Sequence, residues 1–105
     1  MNIRFSYLYR DAGNFKNWGE VVFSNPREVE VASVVLNAKR TLIDQAYFFA
    51  RTASVPSLYF KEYDDELDHS WHEVHTFQET NDPPTDPLDR DIEEFIYSLR
   101  SASEV

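Results

Sequence analysis

The stretch Ile3 to Phe23, IRFSYLYRDAGNFKNWGEVVF, constrains the fold more than any other part of the chain. Ile3, Phe5, Tyr7 and Tyr9 alternate with Arg4, Ser6, Leu8 and Arg10. A period of two places the two sets on opposite faces of a strand. Aromatic and β-branched side chains suit a pleated, half-buried surface. Asp11-Ala12-Gly13-Asn14 breaks the alternation with residues that tolerate positive φ or bond to their own backbone, so a turn is expected there. Glu20 to Phe23 reads as the returning strand, and the residues between make the connection longer than a two-residue hairpin.

Asn25-Pro26 predicts the start of a helix, with Asn25 as its cap, proline in its first turn and Glu28 near the positive end of its dipole. Lys39 and Arg40 suit its end. Thr41 to Ala53 reads as a second helix or a kinked extension of the first, stopped by Val55-Pro56. Ser57 to Phe60 and Trp71 to Thr80 read as strands. In the second of these, His75 and Phe77 fall on one face, and His72 and Val74 on the other. The proline-rich stretch 81–87 cannot join a ladder. A last helix begins at Asp86 or just after it, with an apolar stripe of Ile92, Phe95, Ile96 and Leu99 and an acidic first part, Asp89, Asp91, Glu93 and Glu94. The expected fold class is therefore α+β: a small, mostly antiparallel sheet of three to four strands with two to three helices packed on one face.

A length of 105 residues predicts one compact domain, with residues 101–105 frayed. There is no cysteine, which removes disulfides and thiolate chemistry and fits a reducing compartment. No apolar run approaches the roughly 18 residues that span a bilayer, and the first residues do not read as a signal peptide. The expected location is cytoplasmic, with no membrane partner. Charge is unevenly placed. Residues 1–60 hold seven Lys/Arg and five Asp/Glu, a net of +2; residues 61–105 hold three and fourteen, a net of −11; together they give the chain its −9. Direct nucleic-acid binding needs a basic footprint and is not expected. Such asymmetry suits docking on a basic surface.

Three histidines stand within seven residues: His69, His72 and His75, just after Asp64, Asp65 and Asp68. Imidazole and carboxylate together suit a divalent metal. On a strand, however, residues three apart point to opposite faces, so His72 and His75 do not readily share an ion. The chain has only two glycines, no phosphate loop and no nucleophile elbow. Asp11 with Arg10, or Glu73 with His72, can form ion pairs of a kind common on surfaces. Catalytic residues are not assigned and no cofactor is implied. The acidic run Glu62, Asp64, Asp65, Glu66 and Asp68, with Arg10 and Asp11 of the hairpin, is the expected contact surface for a protein partner. Antitoxin, immunity-protein or inhibitor roles fit this reading, and a homo-oligomer is compatible with it. The second reading is a small metal-dependent hydrolase or ligand-binding protein using His69, His72 and His75.

The string Tyr9-Arg10-Asp11, followed by Asn14-Phe15-Lys16 and a short strand, resembles the opening of small uncharacterised bacterial proteins. Pro56-x-Leu58, Trp71-His72-Glu73 and the final acidic helix fit the same resemblance, which spans most of the chain. It implies a bacterial or phage origin and a single compact domain. It implies no activity and carries no site residues.

Overall fold

A computed structural model of the chain describes residues 1–60 and 71–103. Among these residues the elements run β1 (Asn2–Arg10), β2 (Lys16–Phe23), α1 (Val31–Thr41), β3 (Tyr47–Phe48), α2 (Ala50–Ala53), β4 (His72–Thr80) and α3 (Ile92–Ala102). The strands form one antiparallel sheet in the order β2-β1-β4-β3. Helices α1 and α3 cover one face, which is the expected α+β architecture.

The alternation of β1 sets the layout. Ile3, Phe5, Tyr7 and Tyr9 are completely buried on the helix-bearing side. Phe5 is the hub, with its ring centroid 4.8 Å from Phe95, 5.1 Å from Tyr7 and Phe77, and 5.7 Å from Phe48. Val21 and Phe23 of β2, Val34 and Ala38 of α1, and Ile92, Phe95 and Leu99 of α3 complete this core. The hairpin turn forms as expected: the Phe15 N–H donates to the Asp11 carboxylate, and Asn14 takes a left-handed φ of 66°. The returning strand is longer than expected, because pairing with β1 already begins at Lys16.

Four expectations change. Helix α1 starts at Val31, because the Asn25 side chain closes a loop on Val29, accepting from its N–H and donating to its C=O, both at 2.9 Å. Glu28 at φ 50° also lies outside helical space. The expected second helix shrinks to Ala50–Ala53. Asp44 and Gln45 take φ of 49° and 62°, and the Ile43 and Tyr47 backbones bond each other in both directions. That turn lays Tyr47-Phe48 along β4 as a strand. Residues 57–60 are not a strand. Finally, α3 begins at Ile92 rather than near Asp86, and it runs through buried Ala102, whose carbonyl accepts from the Phe49 N–H. Asp91 caps α3, with Glu94 reaching back in a reciprocal pair.

The residues before α3 fold around a buried ion pair. The Arg90 guanidinium donates to both carboxylate oxygens of Asp86, at 2.8 and 2.9 Å, and to the carbonyls of Ala53 and Ser54, at 2.6 and 3.1 Å. Its central carbon lies 5.5 Å from the Phe23 ring centre and 5.3 Å from that of Phe95, two rings stacked at 4.1 Å. Thr85 flanks β2, exchanging bonds of 2.9 Å with the Val22 N–H and C=O. No helix among the described residues is long and apolar enough to cross a membrane.

Burial alone would raise the Asp86 pKa, but the Arg90 hydrogen bonds and charge outweigh it and hold the carboxyl below its ordinary value. Arg90→Ala leaves that carboxylate buried and unpaired, so urea denaturation at neutral pH should show a loss of about 3–5 kcal/mol. A depressed carboxyl stabilises the fold above its unfolded pKa and loses that effect as pH falls through the folded value. The stability gap between wild type and Asp86→Asn should therefore be full above about pH 4 and narrow below it. A gap unchanged from pH 7 to pH 2 would mean that ionisation of Asp86 contributes nothing.

Candidate interaction site

Residues 55–60 cross the buried face of the sheet near the hairpin end, where no helix reaches. As irregular backbone on a core face, they need partners for their polar groups. The sheet provides them from side chains. The Tyr7 hydroxyl donates to the Pro56 carbonyl at 2.7 Å, and the Asn17 amide donates to the Leu58 carbonyl at 3.1 Å. The Leu58 N–H donates to Nε2 of His72 at 2.9 Å. Burial pushes the Tyr7 phenol well above its ordinary pKa, which keeps it a donor. Leu58 also lies directly over Gly19: a Cβ there would stand 3.0 Å from the leucine methyl, so a side chain at position 19 would push Leu58 aside by a few tenths of an ångström.

His72 is thus fully buried among Tyr7, Tyr9, Phe48 and Tyr59. This corrects the expected facing of β4. The register against β1 pairs Ser6 with Thr76 but Tyr7 with Val74, leaving His75 as an extra residue in a bulge. Alternation changes phase there, so His72 and Phe77 both face the core. His75 instead meets Trp18 edge-to-face at 4.9 Å, over β1 on the helix-free side, where Leu8 is buried. The structure therefore separates His72 from His75. His69 lies outside the described residues, and among the described residues no three His, Cys, Asp or Glu side chains gather as metal ligands would.

Arg10 pairs with Glu73 rather than with Asp11. Its Nε donates to Oε1 of Glu73 at 2.9 Å and its Nη2 to Oε2 at 3.3 Å, while Nη1 donates to Asn14 Oδ1 at 2.6 Å. The hydrogen bond to Glu73, then its charge, raises the arginine pKa. Asp11 holds the turn, and Glu73 lies on the face opposite His72. Beside the Arg10–Glu73 pair opens a cleft of about 550 Å³, walled by Asp44, Tyr47 and Trp71. The last two stack at 5.6 Å and 29°. β3 places Tyr47 directly across from Glu73.

The acidic residues Glu62, Asp64, Asp65, Glu66 and Asp68 lie outside the described residues. The residues that bracket them are placed: Phe60 meets Tyr9 at 6.3 Å, and Trp71 walls the cleft. The described residues that flank this stretch therefore stand by the last two residues of β1, Phe60 against Tyr9 and Trp71 by Arg10. Sequence reasoning missed Tyr47, Trp71 and Asp44, which come together only through the turn at 44–45. It also missed the Arg10–Glu73 pairing, whose partners are far apart in the chain.

No family model, no curated protein and no solved structure matches the chain. Function must be argued from the residues themselves. His72 holds the 55–60 crossing through its bond from the Leu58 N–H. His72→Leu keeps the volume but strands the Leu58 N–H in the core, and the melting curve should show a loss of about 1–3 kcal/mol. An unchanged melting temperature would remove the hydrogen bond from the account of this crossing.

Proposed function

We propose that the chain is a protein-binding domain that works without catalysis, docking an acidic surface onto a basic surface of a protein partner. The observation that supports this reading is that the described residues flanking the acidic run both stand at the end of β1, Phe60 against Tyr9 and Trp71 beside Arg10 at the cleft. The sequence between Phe60 and Trp71 holds five carboxylates, at positions 62 to 68, and the aromatic pair Tyr47 and Trp71 walls the cleft. Aromatic side chains give a contact its anchoring area, and like charges around them steer the encounter. Two residues that first suggest chemistry have other work: His72 supports the 55–60 crossing and Asp11 the hairpin turn.

A basic groove that normally holds nucleic acid is one surface such an acidic run would fit. An antitoxin, an immunity protein or an inhibitor of a nucleic-acid enzyme would work this way, and no cofactor is needed.

Affinity capture from lysate of the source cell, washed at low and then high salt, tests the reading. One stoichiometric protein released by high salt is the expected result; no protein at either salt overturns it. With that partner in hand, reversing Asp64, Asp65 and Asp68 to lysine should slow association about tenfold or more and flatten its salt dependence. An association rate unchanged by the triple reversal would exclude the acidic run as the docking element.

A further inference from the structure

The helical layer carries a second surface, independent of the acidic run. Helices α1 and α3 lie side by side and parallel: Val34 of α1 sits near Ile92 at the start of α3, and Arg40 near Arg100 at its end. They leave two adjoining clefts between them, about 180 Å³ at the first end and about 320 Å³ at the second, which share Asn37, Glu93 and Ile96 in their walls. Its floor is apolar, with Val34, Ile92 and Ile96. Along its rim, α3 presents Glu93, Ile96, Tyr97 and Arg100, which the helical repeat places on one stripe. Tyr97 is 73 % exposed and is the most exposed large hydrophobic residue of the described structure.

The order of charge along this layer is polarised. Its first end is acidic, with Asp91, Glu93 and Glu94; its last end is basic, with Lys39, Arg40 and Arg100. Among the described residues none of those three cations has an ion-pair partner, while Glu93 makes only an exposed contact of 3.5 Å with Arg27. The stripe is also self-complementary under reversal. α3 spans Ile92–Ala102, and a twofold axis passing between Ile96 and Tyr97 sets Glu93 against Arg100 of a mate, Ile96 against its Tyr97, and Arg100 against its Glu93. One patch that meets its own copy in this way is what a twofold dimer requires. The antiparallel arrangement also opposes the helix dipoles favourably.

We infer that the α1–α3 face binds a second copy of this chain, antiparallel and twofold, with Tyr97 at the axis and two Glu93–Arg100 pairs flanking it. A second copy suits this face better than a foreign helix because its order of acid, apolar, aromatic and base is its own complement when reversed. A net charge of −9 on each chain opposes the association at long range. Screening confines that repulsion to about 8 Å at physiological salt, so the local pairs decide. The inference stands apart from the proposed partner docking, which rests on the acidic run and the Arg10–Glu73 cleft rather than on the α1–α3 face.

Sedimentation velocity of the full chain across roughly 1–300 µM tests it (a span around the affinity expected of a small, half-polar interface). The expected result is a concentration-dependent monomer–dimer equilibrium. Glu93→Arg and Arg100→Glu should each weaken it by about tenfold or more, since symmetry makes every single reversal spoil two pairs. Tyr97→Ser should abolish it. The double variant Glu93→Arg with Arg100→Glu should recover most of the affinity, because the pairs re-form with signs exchanged. Circular dichroism of each variant separates lost contact from lost helix, and Lys16→Glu, on the hairpin, should change nothing. A wild type that is monomeric throughout overturns the proposal and leaves the groove to a different chain. So does a dimer indifferent to position 97, or a folded double variant no tighter than the singles. None of these outcomes bears on salt-released partner capture, so the two readings fail separately.

Discussion

The interaction on which the rest of the structure depends is the Arg90 guanidinium. It joins three things that sequence keeps far apart: the loop at Asp86, the carbonyls ending α2, and the stacked rings of Phe23 and Phe95. A buried cation is expensive unless its donors are satisfied, and here four hydrogen bonds and two ring faces satisfy it. The geometry also suits arginine specifically. Lysine would offer a point charge where a planar fork meets a carboxylate on one edge and two carbonyls on another. Because Arg90 immediately precedes the Asp91 cap, fixing its position also fixes where α3 begins.

A second constraint follows from having too few helices for the sheet. α1 and α3 cover only part of the buried face, and an irregular segment covers the rest. Its backbone groups find partners in Tyr7, Asn17 and His72, so conspicuous polar residues inside an aromatic core have a local explanation. The rings around His72 make that nitrogen's hydrogen bond stronger than it would be in water. Of the histidines that suggest a metal in the sequence, His72 supports a backbone N–H and His75 lies against a surface tryptophan.

Much of the fold was legible because the signals were local. The alternation in β1, the Asp11–Asn14 turn and the apolar stripe of α3 each follow from residues a few positions apart, and each appears where expected. What was not legible depended on backbone choices that side-chain patterns do not encode. Positive φ at Glu28, Asp44 and Gln45 shortened one helix and replaced most of another with a turn and a two-residue strand. Asn25 reads equally well as a helix cap or as a loop closure; the distance to Val29 decides it. The ends of α3 followed Asp91 and Ala102 rather than the proline at 87. Of the candidate site, Arg10 and Asp11 were visible as charged hairpin residues, but their partners were not. Arg10 reaches Glu73 only because β4 lies next to β1, and strand order is a property of the whole chain.

The bulge at His75 separates two quantities that are usually treated together: what a position contains and that the position exists. Its imidazole points away from the core, so many side chains would serve there. Its backbone unit sets the parity of the strand. Without it, a regular ladder cannot keep His72 under the 55–60 crossing and Phe77 against Phe5 at the same time, and one of the two must turn to solvent. Residue 75 is thus free in chemistry and fixed in number. A family of such chains would vary there in letter while keeping the count of residues between Trp71 and Phe77 constant.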